Sequence, residues 1–412
     1  MKHASRGTGR LGQLLSIATI SVLVGVKSPV LGAPLIYLLG ILALLLAAHL
    51  LVPSKALIRW YVVLLIAVAF AAVALWVRNE SVSSLATLQA TRLLIYTAAF
   101  VLLIRLLRPS PQVLLIGLAL GLALLWKDNP PNATLAAQWK YAFSIPIAML
   151  VFAIIGRAHR AVFVAAAGLL GVVSLAFAHR SMAMVLVATA VLYVARSTRG
   201  ADGARSPHTA RVVGLGIVIA MFGFFVVPQL AGEGLLGAAV QKSFQQNEER
   251  SNNPLLGGRS EAPISIAAVS INPIAGQGHM PLATSEILAR ARAIGSVLGV
   301  KENYATMRVW VNPNNGEVNP HSVFMEVWIS SGLGGLIVVL AIVVILMRKI
   351  LEAVKPQSQW SGAWLFIFVN EMWDMGFSPF LAGRDMLLAA IVAVALIPDT
   401  MRGFPQPVVA TK

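Results

Sequence analysis

A chain of 412 residues that is 58% hydrophobic and only 12% charged has too few polar groups to clothe a soluble domain of its size, and this excludes an ordinary cytosolic fold. Its formal net charge of +16 sits largely in short loops between apolar runs. Membrane topology and anionic headgroups account for it there, and no nucleic-acid motif accompanies it. With no cysteine, disulfide and thiolate chemistry are excluded too.

Apolar runs long enough to cross a bilayer recur along the whole chain. The first, Leu11–Ser28, follows a basic flank like a signal peptide, but lacks a clean small-residue cleavage site and reads as an uncleaved span. Then come Pro34–Val52, Ile58–Trp76, Arg92–Leu107, Gln112–Trp126, Gln138–Ile155, Ala161–Ala178, Ser181–Ala195 and Val212–Leu230. After a long interval follow Ser322–Met347, Gly362–Phe377 and Arg384–Ile397. The expected fold is an all-α polytopic integral membrane protein with about twelve transmembrane helices. Its divisions are nine spans in 1–230, a long loop with amphipathic helices in 231–321, and three spans in 322–412.

The loops PSKALIR, RLLRPS, GRAHR, RSTRGADGARSPHTAR and MRKILEAVK are rich in Lys and Arg, and they alternate with basic-poor loops. The positive-inside rule then places both termini in the cytoplasm and the long 231–321 segment outside. Within that segment, SEAPISIAAVSI and TSEILARARAIGSVLG are too short to span. The second has Ile287, Leu288, Ala291, Ile294 and Leu298 at helical spacing, with Thr284 or Ser285 as its cap and Glu286 in its first turn.

Three cationic or titratable groups fall on the outer side. Arg180 stands at the turn into the eighth span, Arg259 in LLGGRSEAP, and His321 at the mouth of the tenth span. HSVFMEVWISSGLGG, with His321, Ser322, Gly332 and Gly335, resembles the motif of the O-antigen ligases: His, then Asn, Ser or Gln, nine residues, then Gly-x-x-Gly. Arg180 in HRSMAMVLVA is similar to an Arg those proteins carry at the outer start of a span. Gly258, Arg259, Pro273, Gly276 and Gly278 are similar to a Gly-Arg followed by Pro and Gly-x-Gly. The pattern departs near Pro263, where an aromatic is common in the family.

The resemblance implies a GT-C-like fold in a bacterial inner membrane, with 231–321 as a periplasmic loop and a periplasm-facing site; no Asp-x-Asp stands in an outer loop, so no metal or cofactor is expected. It implies an inverting transfer of glycan from undecaprenyl diphosphate to an acceptor. Lipid A core is the acceptor for a ligase; for a polymerase or protein O-oligosaccharyltransferase it is a growing glycan or a protein. The residues suit such chemistry: Arg180 and Arg259 offer planar, permanently charged contacts to a leaving diphosphate. His321 serves either as general base to the acceptor hydroxyl or as a cation to the diphosphate. Ser322 and Glu326 support it, Glu326 by orienting His321 or a neighbouring arginine. Gly332 and Gly335 let a helix or the lipid donor approach the backbone closely.

Other residues read more plainly. His279 is a loop histidine, and Arg290, Arg292 and Arg308 are surface charges. Trp139 and Tyr141 belong to an aromatic belt. Glu371, Asp374 and Arg384 serve function or pair with one another. A polyprenyl-glycan transporter is the competing class, but it would place its polar groups nearer the bilayer midplane.

Overall fold

The computed structural model describes residues 9–28, 33–46, 54–77, 89–126, 134–155, 160–177, 179–196, 227–235, 238–252, 256, 259–278, 280–305, 310–312, 315–355, 361–378 and 383–397. Among the described residues the regular structure is helical, with strand pairing limited to isolated bridges such as Leu282 with Glu317. The helices of the first half are α1 Arg10–Gly25, α2 Leu35–Leu45, α3 Lys55–Val77, α4 Gln89–Leu107 and α5 Pro111–Trp126, followed by α6 Leu135–Ile155, α7 Arg160–Ala176 and α8 Arg180–Arg196. Five shorter ones follow: α9 Val227–Gly232, α10 Ala238–Arg250, α11 Ala262–Ile271, α12 Ser285–Leu298 and α13 Glu302–Ala305. The chain ends with α14 Val323–Ala353, α15 Gly362–Phe377 and α16 Arg384–Leu396.

Four of these, α3, α4, α6 and α14, are long and apolar enough to cross a membrane, and α1, α2, α5 and α7 are shorter apolar helices. The protein is therefore an all-helical membrane protein. Helices stand at eleven of the twelve expected segments. The ninth, Val212–Leu230, lies outside the described residues except for its end in α9.

Burial sorts the helices into inner and outer ones. Residues 93–104 of α4 are buried without interruption, and a helix apolar and buried all round belongs at a bundle's centre. In α3 only Leu57, Trp60, Leu64, Ala67, Ala71, Ala74 and Leu75 are buried, so one stripe faces the protein. Leu65, Val73 and Trp76 are exposed on its other side, as expected of a lipid-facing surface. Small residues bring neighbours close. A Cβ on Gly117 or Gly121 of α5 would stand 2.8 or 2.6 Å from Ile20 or Val24 of α1. Ser21 Oγ donates to Gly117 O across that contact. In a bilayer such packing and inter-helix hydrogen bonds, about 0.6 kcal/mol each, take the place of hydrophobic collapse.

A second, smaller core lies beyond the bundle. Ile264, Ala267, Ala268 and Val269 of α11 meet Ile287 and Ala291 of α12, with Trp310, Val318 and Ile329. The Thr284 cap is present, its side chain accepting from Ile287 N–H, and Gly299 closes the helix in the left-handed region. Pro263 takes the start of α11, where a missing N–H costs nothing.

Candidate active site at the polar end of the bundle

Four helix ends converge. Ser322 caps α14: its Oγ accepts from Met325 N–H at 3.4 Å and donates to Met375 O at 3.1 Å. Val323 N–H donates to Ser378 O just beyond α15. Arg384, the first residue of α16, pairs with Asp374 of α15 at 2.5 Å. Asp374 also accepts from Asn370 Nδ2 at 3.0 Å and from Ser378 Oγ. His179, next to the start of α8, lies in the fields of Lys140 and Arg384. The positive N-terminal ends of α8, α14 and α16 thus surround the negative C-terminal end of α15. We call this the polar end.

Arg259 reaches the same place from the segment before α11. Its Nη1 donates to Glu261 Oε1 at 3.2 Å and to His321 O at 3.3 Å, and its Nη2 donates to Phe377 O. The guanidinium also lies 4.8 Å from the centre of the Phe377 ring. The last carbonyls of a helix have no partner within it, and a planar, charged fork suits them. One side chain therefore joins the end of α15 to the residue that precedes the cap of α14. About a quarter of it is exposed.

His321 is partly exposed, with its ring edge-on to Trp310 at 5.0 Å. Its Nδ1 lies 3.2 Å from Asn319 O. A carbonyl only accepts, so that contact requires a hydrogen on Nδ1, and a neutral ring then carries its lone pair on Nε2. The ring so held can take a proton.

Arg180 opens α8, which packs against α15. Its neighbour His179 is pushed down to about 3 by burial first, then by Lys140 and Arg384. The imidazole is therefore neutral at all ordinary pH. The structure thus joins the Arg259 guanidinium to the main-chain carbonyl of His321, and brings the start of α8, where Arg180 stands, to the same end through the α8–α15 interface.

The glycines act differently from expectation. Gly332 has φ 52° and ψ −139°, so α14 is two helices joined at a sharp break. Leu333 N–H then donates to Ile274 O, while Ile329 O and Ser330 O accept from Gln277 and Gly278 N–H. The partner is the 272–278 segment, neither a helix nor a lipid. A Cβ on Gly332 would lie 2.1 Å from Ile274 O, and one on Gly276 2.4 Å from Gly332 N. Gly335 folds back on the first part of α14, where a Cβ would stand 2.1 Å from Val327 O. The motif pieces at Gly332/Gly335 and Pro273/Gly276/Gly278 are thus two sides of one junction. Gly278 abuts Leu75 near the end of α3, and Gly334, two residues past the break, meets Ala67 and Phe70 nearer its middle, so the break lies alongside the second half of α3 and a second helix runs from Leu333.

Glu326 lies near an arginine, one of the two partners expected for it. It is buried, accepts from Gln89 Nε2 at 3.5 Å, and lies in the field of Arg92 of α4. The neighbouring arginine it serves is Arg92. Arg92 pairs with fully buried Asp385, so adjacent residues of α16 tie it to α15 through Arg384 and to α4 through Asp385. The sequence reading passed over Arg92, Gln89 and Asp385. The signal was an ionisable residue at the same-side end of two apolar runs. Of Glu371, Asp374 and Arg384, the last two do pair. Glu371 is fully buried and accepts from Asn370.

Gly258, His279 and Arg308 lie outside the described residues. Arg290 bonds Glu286 on the surface of α12, and Arg292 faces Glu302. Trp139 donates to Ser174 Oγ and leans on Phe177. Compared with known families and with curated proteins, the chain matches neither a family model nor a curated sequence.

Proposed function

We propose that this chain is a glycosyltransferase of the O-antigen ligase type, with its polar end facing the periplasm and about twelve spans in a GT-C-like bundle. The observation that carries the reading is the Arg259–His321 link at the end of an apolar bundle, with Nε2 of His321 left to accept a proton. In the reaction, a hydroxyl of the acceptor attacks the anomeric carbon of a glycan on undecaprenyl diphosphate. The carbon–oxygen bond to the diphosphate breaks, and its electron pair stays on the diphosphate. The hydroxyl proton passes to His321 Nε2, a role worth about 100- to 10,000-fold. Arg259 exchanges Glu261 for phosphate oxygens, and Arg180 supplies a second fixed positive charge. Preorganised charge of this kind stabilises the departing group without a bound metal.

Lipid A core is the acceptor we favour; a growing glycan or a protein takes its place in the polymerase and protein-modifying branches. A transporter is the poorer reading, because the charged side chains gather at helix ends, whereas transporters place theirs near mid-bundle.

The test is reconstitution in proteoliposomes with undecaprenyl-diphosphate glycan and a panel of acceptors, in the presence of a chelator. Transfer to one acceptor is expected, and His321→Ala should abolish it while the protein still purifies as wild type. Donor movement across the vesicle with no glycosidic bond formed, or wild-type transfer by the His321 variant, would overturn the proposal.

A further inference from the structure

A cleft of about 350 Å³, counting the space open to solvent, lies beside the polar end but apart from the Arg259–His321 link. It is lined by Trp126 from the end of α5, Lys140, Tyr141, Ala142, Ser144 and Ile145 from α6, and Arg384 from α16. Helices far apart in sequence thus bring two cations and two aromatic rings to one opening.

The local structure explains how. Residues Trp139–Phe143 form a π-helical turn inside α6. In a regular α-helix consecutive side chains point about 100° apart, so neighbours rarely share a wall. Residues 140, 141 and 142 of this turn all contribute to the lining; such turns recur at functional sites. On the opposite wall Gly383 has φ 101°, and a Cβ there would stand 2.7 Å from Trp126 Nε1. The bare glycine lets the indole lie against the start of α16 and sets Arg384 beside it.

The charge in the cleft is positive on balance at its rim. Arg384 is matched by Asp374, whereas among the described residues no carboxylate pairs with Lys140. Lys140 is exposed, with its ammonium 5.1 Å from the centre of the Tyr141 ring. Tyr141 is 46% exposed and offers a flat face to the C–H side of a hydroxylated group, while Ser144 contributes a hydroxyl at the base.

We infer that this cleft is a binding site for a phosphate carried on a small hydroxylated group, either the headgroup of a membrane lipid or a soluble sugar phosphate. Lys140 and Arg384 hold the phosphate oxygens, and Tyr141 and Trp126 flank the attached group. The site does not depend on the transferase reading, because binding alone defines it.

The test uses the full chain in phosphatidylcholine nanodiscs. Glucose 1-phosphate is titrated calorimetrically, with glucose as the uncharged control. In parallel, native mass spectrometry scores retention of phosphatidylglycerol added to the discs. Saturable binding of glucose 1-phosphate but not glucose identifies a soluble source, and selective phosphatidylglycerol retention identifies a lipid source. Either supports the site if Lys140→Glu weakens it by at least about tenfold and Tyr141→Ala weakens it less. Both positions are exposed, so both variants should melt like the wild type. Binding of neither probe, or equal binding by wild type and Lys140→Glu, overturns the inference.

Discussion

Two groups of charges sit at the polar end, and they are built to different rules. Arg92 with Asp385, and Arg384 with Asp374, are pairs whose acids are wholly or nearly wholly buried. Arg259 and His321 are partly open, and their contacts run mostly to main-chain carbonyls. A buried pair is costly to break, because the surviving charge has no water to return to. A side chain bonded to carbonyls at a surface can exchange them for a ligand at small cost. The first group ties α4, α15 and α16 together, and the second is free for chemistry.

The sharpest way to break this contrast is Asp385→Ala, which strands Arg92. It should cost about 3–5 kcal/mol in thermal or denaturant unfolding in detergent. A variant as stable as wild type would show that the pair is dispensable. Next in size, Arg259→Ala should lower transfer about 100- to 1,000-fold while the melting curve barely moves. Collapse of the fold would instead place Arg259 with the buried group.

His179 provides a third probe through pH. Its folded value of about 3 lies below the ordinary 6.5, so between these values the unfolded chain binds a proton that the folded chain does not. Stability should therefore fall as pH drops from 6.5 toward 3, by up to about 1.4 kcal/mol per pH unit, and His179→Gln should flatten that slope. The smallest effect belongs to the exposed Glu286–Arg290 pair on α12. Glu286→Gln should cost about 0.2–0.5 kcal/mol, and less in high salt.

What could be read from the sequence was local. Apolar runs gave helices, Thr284 and the Ile287–Leu298 spacing gave a capped amphipathic helix, and Lys/Arg bias gave an orientation to propose. Arg259 meeting Phe377 was not readable, because the two are 118 positions apart and only the folded bundle brings them together. The break at Gly332 was hidden for the same reason. SSGLGG is compatible with a continuous helix until Ile274, Gln277 and Gly278 supply its substitute hydrogen bonds. The π-turn of α6 also leaves no mark in WKYAF, since one extra residue per turn changes the direction of side chains without changing their kind.

The break has a consequence for how this protein is made. Unbroken, the 31 residues of α14 would form a rod of about 46 Å, well beyond the roughly 30 Å of hydrocarbon in a bilayer. Residues 272–278 leave the ribosome first, so the splint exists before the segment it must bend. By fixing the bend at Gly332, it trims the rod to the 21 residues from Leu333 to Ala353, about 32 Å. The 272–278 segment thus works as a ruler, and its deletion should leave a helix that must relieve its hydrophobic mismatch by tilting or by thickening the bilayer around it.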